Sequence, residues 1–302
     1  MSGDDGRFVG RREVLAALGA AALAPTADEV LGLSGASAPS PEHAPMTTGE
    51  ADATLRVRTY PRLASAADRW SGWSLATLAA HGAVGDALDA VATYAQSERD
   101  GLSAVDWKLE AGAGVSLPPG LDAPTLIERF AETVRERDPD AEHACHLLLW
   151  SEPLNFRIGY GYTRSDVAAA AEGAYTIANV GATERWDGRA VTKNMAIHET
   201  LHAFLTGEDA EAVIGHSCEH NLGAVRHVGD GIAEVTPMAT AYAGRSTPMD
   251  ETTWSGRGCR DPDAFYRHDG VDGVDEWRHT TELSEGTLDA AARYVEHQLT
   301  GD

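Results

Sequence analysis

Apolar residues recur along this chain with two distinct periods. ATLRVRTYPRL (53–63) and SAVDWKLEAG (103–112) alternate apolar and polar positions, which predicts half-buried strands, the first ended by Pro61. Between them, GAVGDALDAVATYAQSER (82–99) sets Val84, Leu88, Val91, Ala92 and Ala95 at three- and four-residue steps, the stripe of an amphipathic helix. PTLIERFAETVRERD (124–138) repeats that stripe through Leu126, Phe130 and Val134, with Pro124 at its start. CHLLLW (145–150) is continuously apolar and predicts a buried strand. NFRIGYGYTRSD and GAYTIANVGAT (173–183) read as strand or edge-strand material around a Gly-rich turn. RAVTKNMAIHETLHAFLTG then reads as one long helix stopped by Gly207. Thr287 to Leu299 is a further amphipathic helix, read as packing. The order predicts one α+β domain with a mixed sheet over about residues 52–302, free of internal repeats.

The first 24 residues, MSGDDGRFVGRREVLAALGAAALA, follow another logic. Arg11-Arg12 precedes an Ala/Leu-rich run from Val14 to Ala24, the layout of a twin-arginine export signal. The apolar run is too short to cross a hydrocarbon core of roughly 30 Å as a helix. Small residues at Ala36-Ser37-Ala38 suit cleavage, and no cysteine near the apolar run suggests a lipid anchor. The expectation is a signal peptide over 1–38, a linker over 39–51, and a secreted mature chain with no stable membrane insertion. A buried N-terminal helix is the plainer alternative.

Charge narrows the function classes. There are 47 acidic against 24 basic residues, a formal charge of -23, spread along the whole length. Such a surface repels nucleic acid, whose phosphates need the opposite sign. Dispersed acid with few Lys and Arg suggests a halophile; an ordinary acidic secreted protein is the alternative. Of three cysteines, Cys218 and Cys259 sit in loop-like settings that permit one disulfide, and Cys145 lies in an apolar run as a buried thiol.

The chemistry concentrates in NMAIHETLHAFLTG, residues 194–207. Residues four apart share one helix face, so His198 and His202 can aim two imidazoles at one point. Glu199 sits one residue round, where its carboxylate reaches a water beside the metal rather than the metal itself. Met195, Ile197, Leu201, Phe204 and Leu205 surround the histidines with core residues. The plain alternative is two helix histidines satisfied by water or carboxylates.

HETLH, preceded by AYTIANVGA, resembles the zincin metallopeptidases, and Met238 in EVTPMATAY resembles the methionine turn of the metzincins. The resemblance implies a mixed sheet whose edge strand, 173–181 here, pairs with extended substrate. It also implies a Zn2+ ion held by His198, His202 and a third ligand. The metzincin pattern, H-E-x-x-H-x-x-G-x-x-H, breaks here: Leu205 stands at its glycine and Glu208 at its third histidine. The third ligand is therefore expected from EDAEAVIGHSCEHNLGAVRH, with His220 preferred to His216 and Glu208, and with Glu211, Glu219 and His227 behind them. Three protein ligands leave a position for water, which Glu199 would deprotonate for attack on a peptide carbonyl. Tyr242 is a further candidate donor to that carbonyl, against a plainer role in packing. The implied function is a secreted zinc-dependent peptidase acting on peptide or protein. The rivals are a non-catalytic zincin-like binding protein and a zinc hydrolase of non-peptide amides or esters. Oligomeric state is not legible.

Overall fold

In the computed structural model, the alternating segment at 53–63 forms β1 (Ala53–Pro61), and the segment after it forms α1 (Leu75–Glu98), longer than its apolar stripe because Ser74 caps it at Thr77. β2 (Val105–Ala111), α2 (Ala123–Arg137) and β3 (Cys145–Leu149) follow as expected. Then come β4 (Gly161–Arg164), β5 (Ala174–Ala178), α3 (Val180–Trp186) and α4 (Arg189–Leu201). The structure describes residues 51–63, 73–137, 144–151, 161–170, 172–239, 261–270 and 272–300. All of these belong to one compact unit, Ser37–Asp302. The expected export signal lies outside the described residues, as does all but the last residue of the expected linker.

A five-stranded mixed sheet, ordered β2-β1-β3-β5-β4, carries the molecule. Its first four strands are parallel, and β4 runs antiparallel to β5. Side chains alternate across a sheet, so each strand sends one set to each face. Tyr60, Leu148, Tyr175 and Ile177 pack with Leu126, Ile127, Phe130 and Val134 of α2. On the opposite face, Thr59 bonds His81 of α1 at 2.7 Å and Thr176 bonds the backbone of α4. A sheet covered on both faces needs strands apolar throughout, which is why CHLLL and AYTIA are buried at every position.

This arrangement corrects the reading of AYTIANVGA as the edge strand. β5 is internal, flanked by β3 and β4, and the edge is β4, from the Gly-rich segment before it. Asn179 then caps α3 by accepting from the Ala182 amide at 3.1 Å, so the second half of the expected strand is helical.

The long helix also ends earlier than expected. After α4 the chain makes one 3-10 turn (His202–Phe204), and Leu205 is extended at φ -141, ψ 147. Gly207 is not a helix stop. It opens α5 (Gly207–Ile214), whose capping box joins Thr206 and Asp209 reciprocally. A second 3-10 turn (Glu219–Leu222) leads into a smaller sheet: β6 (Ala224–Gly229), β7 (Ile232–Val235), β8 (Arg267–His268) and β9 (Glu276–His279), ordered β8-β6-β7-β9. Val225, Ala233, Val235 and Phe265 form its core. Asn194 of α4 joins the sheets by donating to the carbonyls of Val235 (3.2 Å) and Thr280 (2.7 Å). The chain closes with α6 (Glu285–Tyr294), continued by a wider π turn (Val295–Leu299). Among the described residues, no helix is long and apolar enough to cross a membrane.

Candidate metal centre

Helix α4 carries His198, the 3-10 turn that continues it sets His202 beside His198, and the 3-10 turn after α5 returns His220 to them. Their ligand nitrogens all lie within 4.8 Å of one another, and this is the one such group among the described residues. His202 Nε2 is 3.1 Å from His198 Nε2 and 3.1 Å from His220 Nε2.

The outer nitrogens decide what those distances mean. His198 Nδ1 lies 2.9 Å from the Pro237 carbonyl, which can only accept, so Nδ1 carries a proton. His202 Nδ1 lies 2.5 Å from a Glu219 carboxylate oxygen, and an ionised carboxylate likewise only accepts. In the neutral rings both Nε2 atoms are therefore bare lone pairs, turned toward each other at 3.1 Å. Such a pair repels unless a cation lies between. A tetrahedral ion with metal–nitrogen bonds of about 2.0–2.1 Å would set its ligand nitrogens roughly 3.3–3.4 Å apart. The residues fit a metal of that size. The alternative cation is a proton, and the ring poised to take it is His202. Burial lowers its pKa, but the Glu219 hydrogen bond and charge outweigh burial and raise it. Burial and the neighbouring His202 push His220 down to about 3, and burial first, then the other rings, keep His198 well below its ordinary value.

Glu199 is buried beside this cluster. One carboxylate oxygen, Oε1, stands 3.8 Å from His198 Nε2, and Oε2 accepts from the Thr163 hydroxyl at 3.0 Å. Thr176, paired with Thr163 across β4 and β5, donates to the Glu199 carbonyl at 3.0 Å, and that carbonyl, 3.1 Å from the Thr163 oxygen, is the alternative acceptor for the single Thr163 proton. Burial lifts the Glu199 carboxyl to about 7, against the opposing pull of His202 and Thr163. Gly161 explains how β4 comes so close: a Cβ there would fall 2.1 Å from Glu199 Oε1. The edge strand thus runs directly along the carboxylate.

Beneath His198 lies the turn after β7. The Ala239 amide bonds the Thr236 carbonyl at 3.0 Å, Met238 is fully buried, and Pro237 supplies the carbonyl that holds the ring. Gly223 admits this turn, since a Cβ there would meet the Ala239 nitrogen at 2.1 Å. Tyr242 lies outside the described residues.

The other candidates for third ligand go elsewhere. His216 Nε2 bonds the Ala264 carbonyl at 2.9 Å, and His227 Nε2 bonds the Gly270 carbonyl at 3.2 Å on an exposed strand. Glu208 sits in the first turn of α5 and Glu211 further along the same helix, neither in the cluster. Glu219 stands behind His202 rather than among the nitrogens. Cys218 is disulfide-bonded and Cys145 is a buried free thiol; Cys259 lies outside the described residues. Thr163, Thr176, Gly161 and Pro237 were not singled out in the sequence, and no local signal marks them. Period-two alternation along β4 would have placed Gly161 and Thr163 on one face, had β4 been recognised as the edge.

No protein-family model and no curated protein matches the chain. Among solved structures it is similar to metalloproteinase-II from Bacteroides fragilis, at TM-score 0.34 and 14% identity, over 52% of this chain and 44% of that one. The chain thus spans less than half of that protein, and a likeness so shallow carries no argument. The functional reading rests on the geometry above.

Proposed function

We propose that this chain is a zinc-dependent metallopeptidase, exported by a twin-arginine signal and adapted to a saline medium. The observation that carries the activity is the facing of Nε2 lone pairs on His198 and His202, completed by His220, with a buried carboxylate alongside. Three converging imidazoles, with His202 Nε2 near tetrahedral spacing from each of the other two, suit zinc among common biological metals. Zinc held there supplies a Lewis acid that acidifies water and polarises a carbonyl oxygen.

The chain's own residues do the rest. Glu199, one oxygen tied to Thr163 and the other turned to the histidines, takes the proton of an attacking water and delivers it to the departing nitrogen. Burial raises the proton affinity of its carboxyl, and the cation held by the histidines opposes that rise. The outer edge of β4 is unpaired among the described residues, so an extended peptide can add to it as a further strand beside Glu199. The acidic surface favours peptides over nucleic acid as substrate. The Met238 turn under His198 supports the metzincin-like reading, although the third ligand arrives by a longer loop.

The test is zinc content beside hydrolysis of a mixed peptide library. Glu199→Gln is expected to retain zinc and lose hydrolysis, and His202→Ala to lose both. Undiminished hydrolysis by Glu199→Gln would refute the role of the base. A wild-type chain that takes up no zinc would refute the whole reading.

A further inference from the structure

Glu219 and His220 are consecutive residues of one 3-10 turn, yet they serve different partners. His220 turns Nε2 into the cluster, while Glu219 reaches behind the neighbouring ligand to His202 Nδ1 at 2.5 Å. We infer that Glu219 is the positioning residue of the metal centre: it fixes the orientation and tautomer of His202, and through that ring it sets metal affinity. This inference rests on the three-histidine site, not on peptide hydrolysis.

The physical argument has three steps. A His ligand presents a lone pair only if its other nitrogen keeps the proton, and a carboxylate at that nitrogen secures this tautomer. Negative charge behind the ring also makes Nε2 a stronger donor. His198 has a backbone carbonyl for the purpose, so Glu219 is the side-chain determinant that substitution can reach.

The turn is anchored so that Glu219 cannot drift. Its Leu222 carbonyl accepts from the Ser284 hydroxyl and, at 3.1 Å, from Thr287 at the start of α6. The Asn221 carbonyl accepts from the Tyr266 amide at 2.7 Å, and Cys218, just before the turn, is disulfide-bonded. One rigid segment therefore delivers the third ligand and orients the second. The two are built together or not at all. Glu219 itself is not a ligand in this arrangement, since its contact is with the nitrogen facing away from the cluster.

The experiment measures zinc dissociation constants by competition with a chelating dye for wild type, Glu219→Gln and Glu219→Ala. The thermal midpoint of each metal-free protein is measured alongside. Loss of an outer-shell partner typically costs 10–100-fold in metal affinity. Glu219→Ala is expected to bind zinc about 10- to 100-fold more weakly, with the metal-free midpoint lowered only by the few degrees that loss of the His202 hydrogen bond brings. Glu219→Gln, which still accepts from Nδ1 but without charge, is expected to recover part of the loss. The cobalt-loaded proteins should show a matching change in their visible spectrum, which a merely structural role would not move. Equal affinity of wild type and Glu219→Ala overturns the inference while leaving the metal site standing. So does a loss in Glu219→Ala that Gln fails to relieve and that the metal-free midpoint follows. Failure of wild type to bind zinc overturns the proposed function itself.

Discussion

Replacing Gly161 by alanine tests whether the edge strand is built around the Glu199 carboxylate, the proposed base. An added Cβ would sit 2.1 Å from Glu199 Oε1, 2.2 Å from Cδ and 2.4 Å from Cγ. Real Cβ contacts essentially never fall under 3.0 Å, so the carboxylate or the strand must retreat by about 1 Å. The strand is poorly placed to yield, because Thr163, two residues on, is tied to Thr176 at 2.8 Å and to Glu199 itself. The carboxylate therefore moves and the Thr163 bond to it is strained or lost. A misplacement of about 1 Å at a reacting group costs on the order of 100-fold in rate. A hydrogen bond to a charged group is worth roughly 1.5–3 kcal/mol, which is again about 10- to 100-fold. The two routes agree. Stability moves less: alanine stiffens the unfolded chain by about 0.4–1 kcal/mol, while overpacking costs about 1–3, so destabilisation wins by about 1–2 kcal/mol. The assay is kcat on a peptide substrate, with zinc content and thermal midpoint measured on the same protein. The expected result is a kcat about 100-fold lower at full zinc occupancy, with the midpoint reduced by a few degrees. Wild-type kcat in Gly161→Ala, or a loss explained wholly by missing zinc, would refute the reasoning.

Thr163→Val should lower kcat about 10- to 100-fold at unchanged zinc affinity, with Thr163→Ser restoring most of it; equal turnover by Val and Ser would count against the tie. Asn194→Ala takes the side-chain donor from the part-buried Thr280 carbonyl, while the Val235 carbonyl keeps the Thr280 amide; at about 1–3 kcal/mol it should lower the thermal midpoint by roughly 2–12 °C. Reduction of the Cys218 disulfide, or Cys218→Ser, should weaken zinc binding by freeing the turn that carries His220, measurable by the same dye competition. His81, held neutral by burial with its pKa near about 4 against 6.5 unfolded, binds fewer protons folded than unfolded over that interval. Stability should therefore fall as pH drops from 6.5 to 4, by up to about 3 kcal/mol for this group, and His81→Gln should remove that part of the slope in a denaturant titration.

Much of the main sheet was legible because burial on both faces leaves an unmistakable record. CHLLL and AYTIA are apolar at nearly every position, and the stripe of α2 matches the face it buries. Which strand forms the edge was not legible. β4 spans only four residues, and its defining residue, Gly161, is chosen for a neighbour 38 positions away, so no local period reports it. Asn179 and Thr206 were legible in principle as caps. Their segments were absorbed into a longer strand and a longer helix because apolar neighbours continued the pattern.

The end of the metal helix shows most clearly how local chemistry redirects a functional site. In H-E-x-x-H-x-x-G-x-x-H, the glycine lets the chain fold back at once. Leu205 occupies that position here, buried and at an extended φ that any residue adopts, so the chain leaves the helix instead of doubling back. Thr206 and Asp209 then form a reciprocal cap, which commits the next eight residues to α5 and turns Glu208 into part of its first turn. Gly215, at φ 81, ends that helix in a left-handed residue. Only after this detour does the chain return, 18 positions beyond His202, with His220. The detour has a structural consequence. It brings Glu219 in one residue ahead of His220, on the far side of the His202 ring. The same turn thus brings in both the third histidine and the carboxylate behind His202, so shortening the loop between Leu205 and His220 should cost the cluster its Glu219 contact.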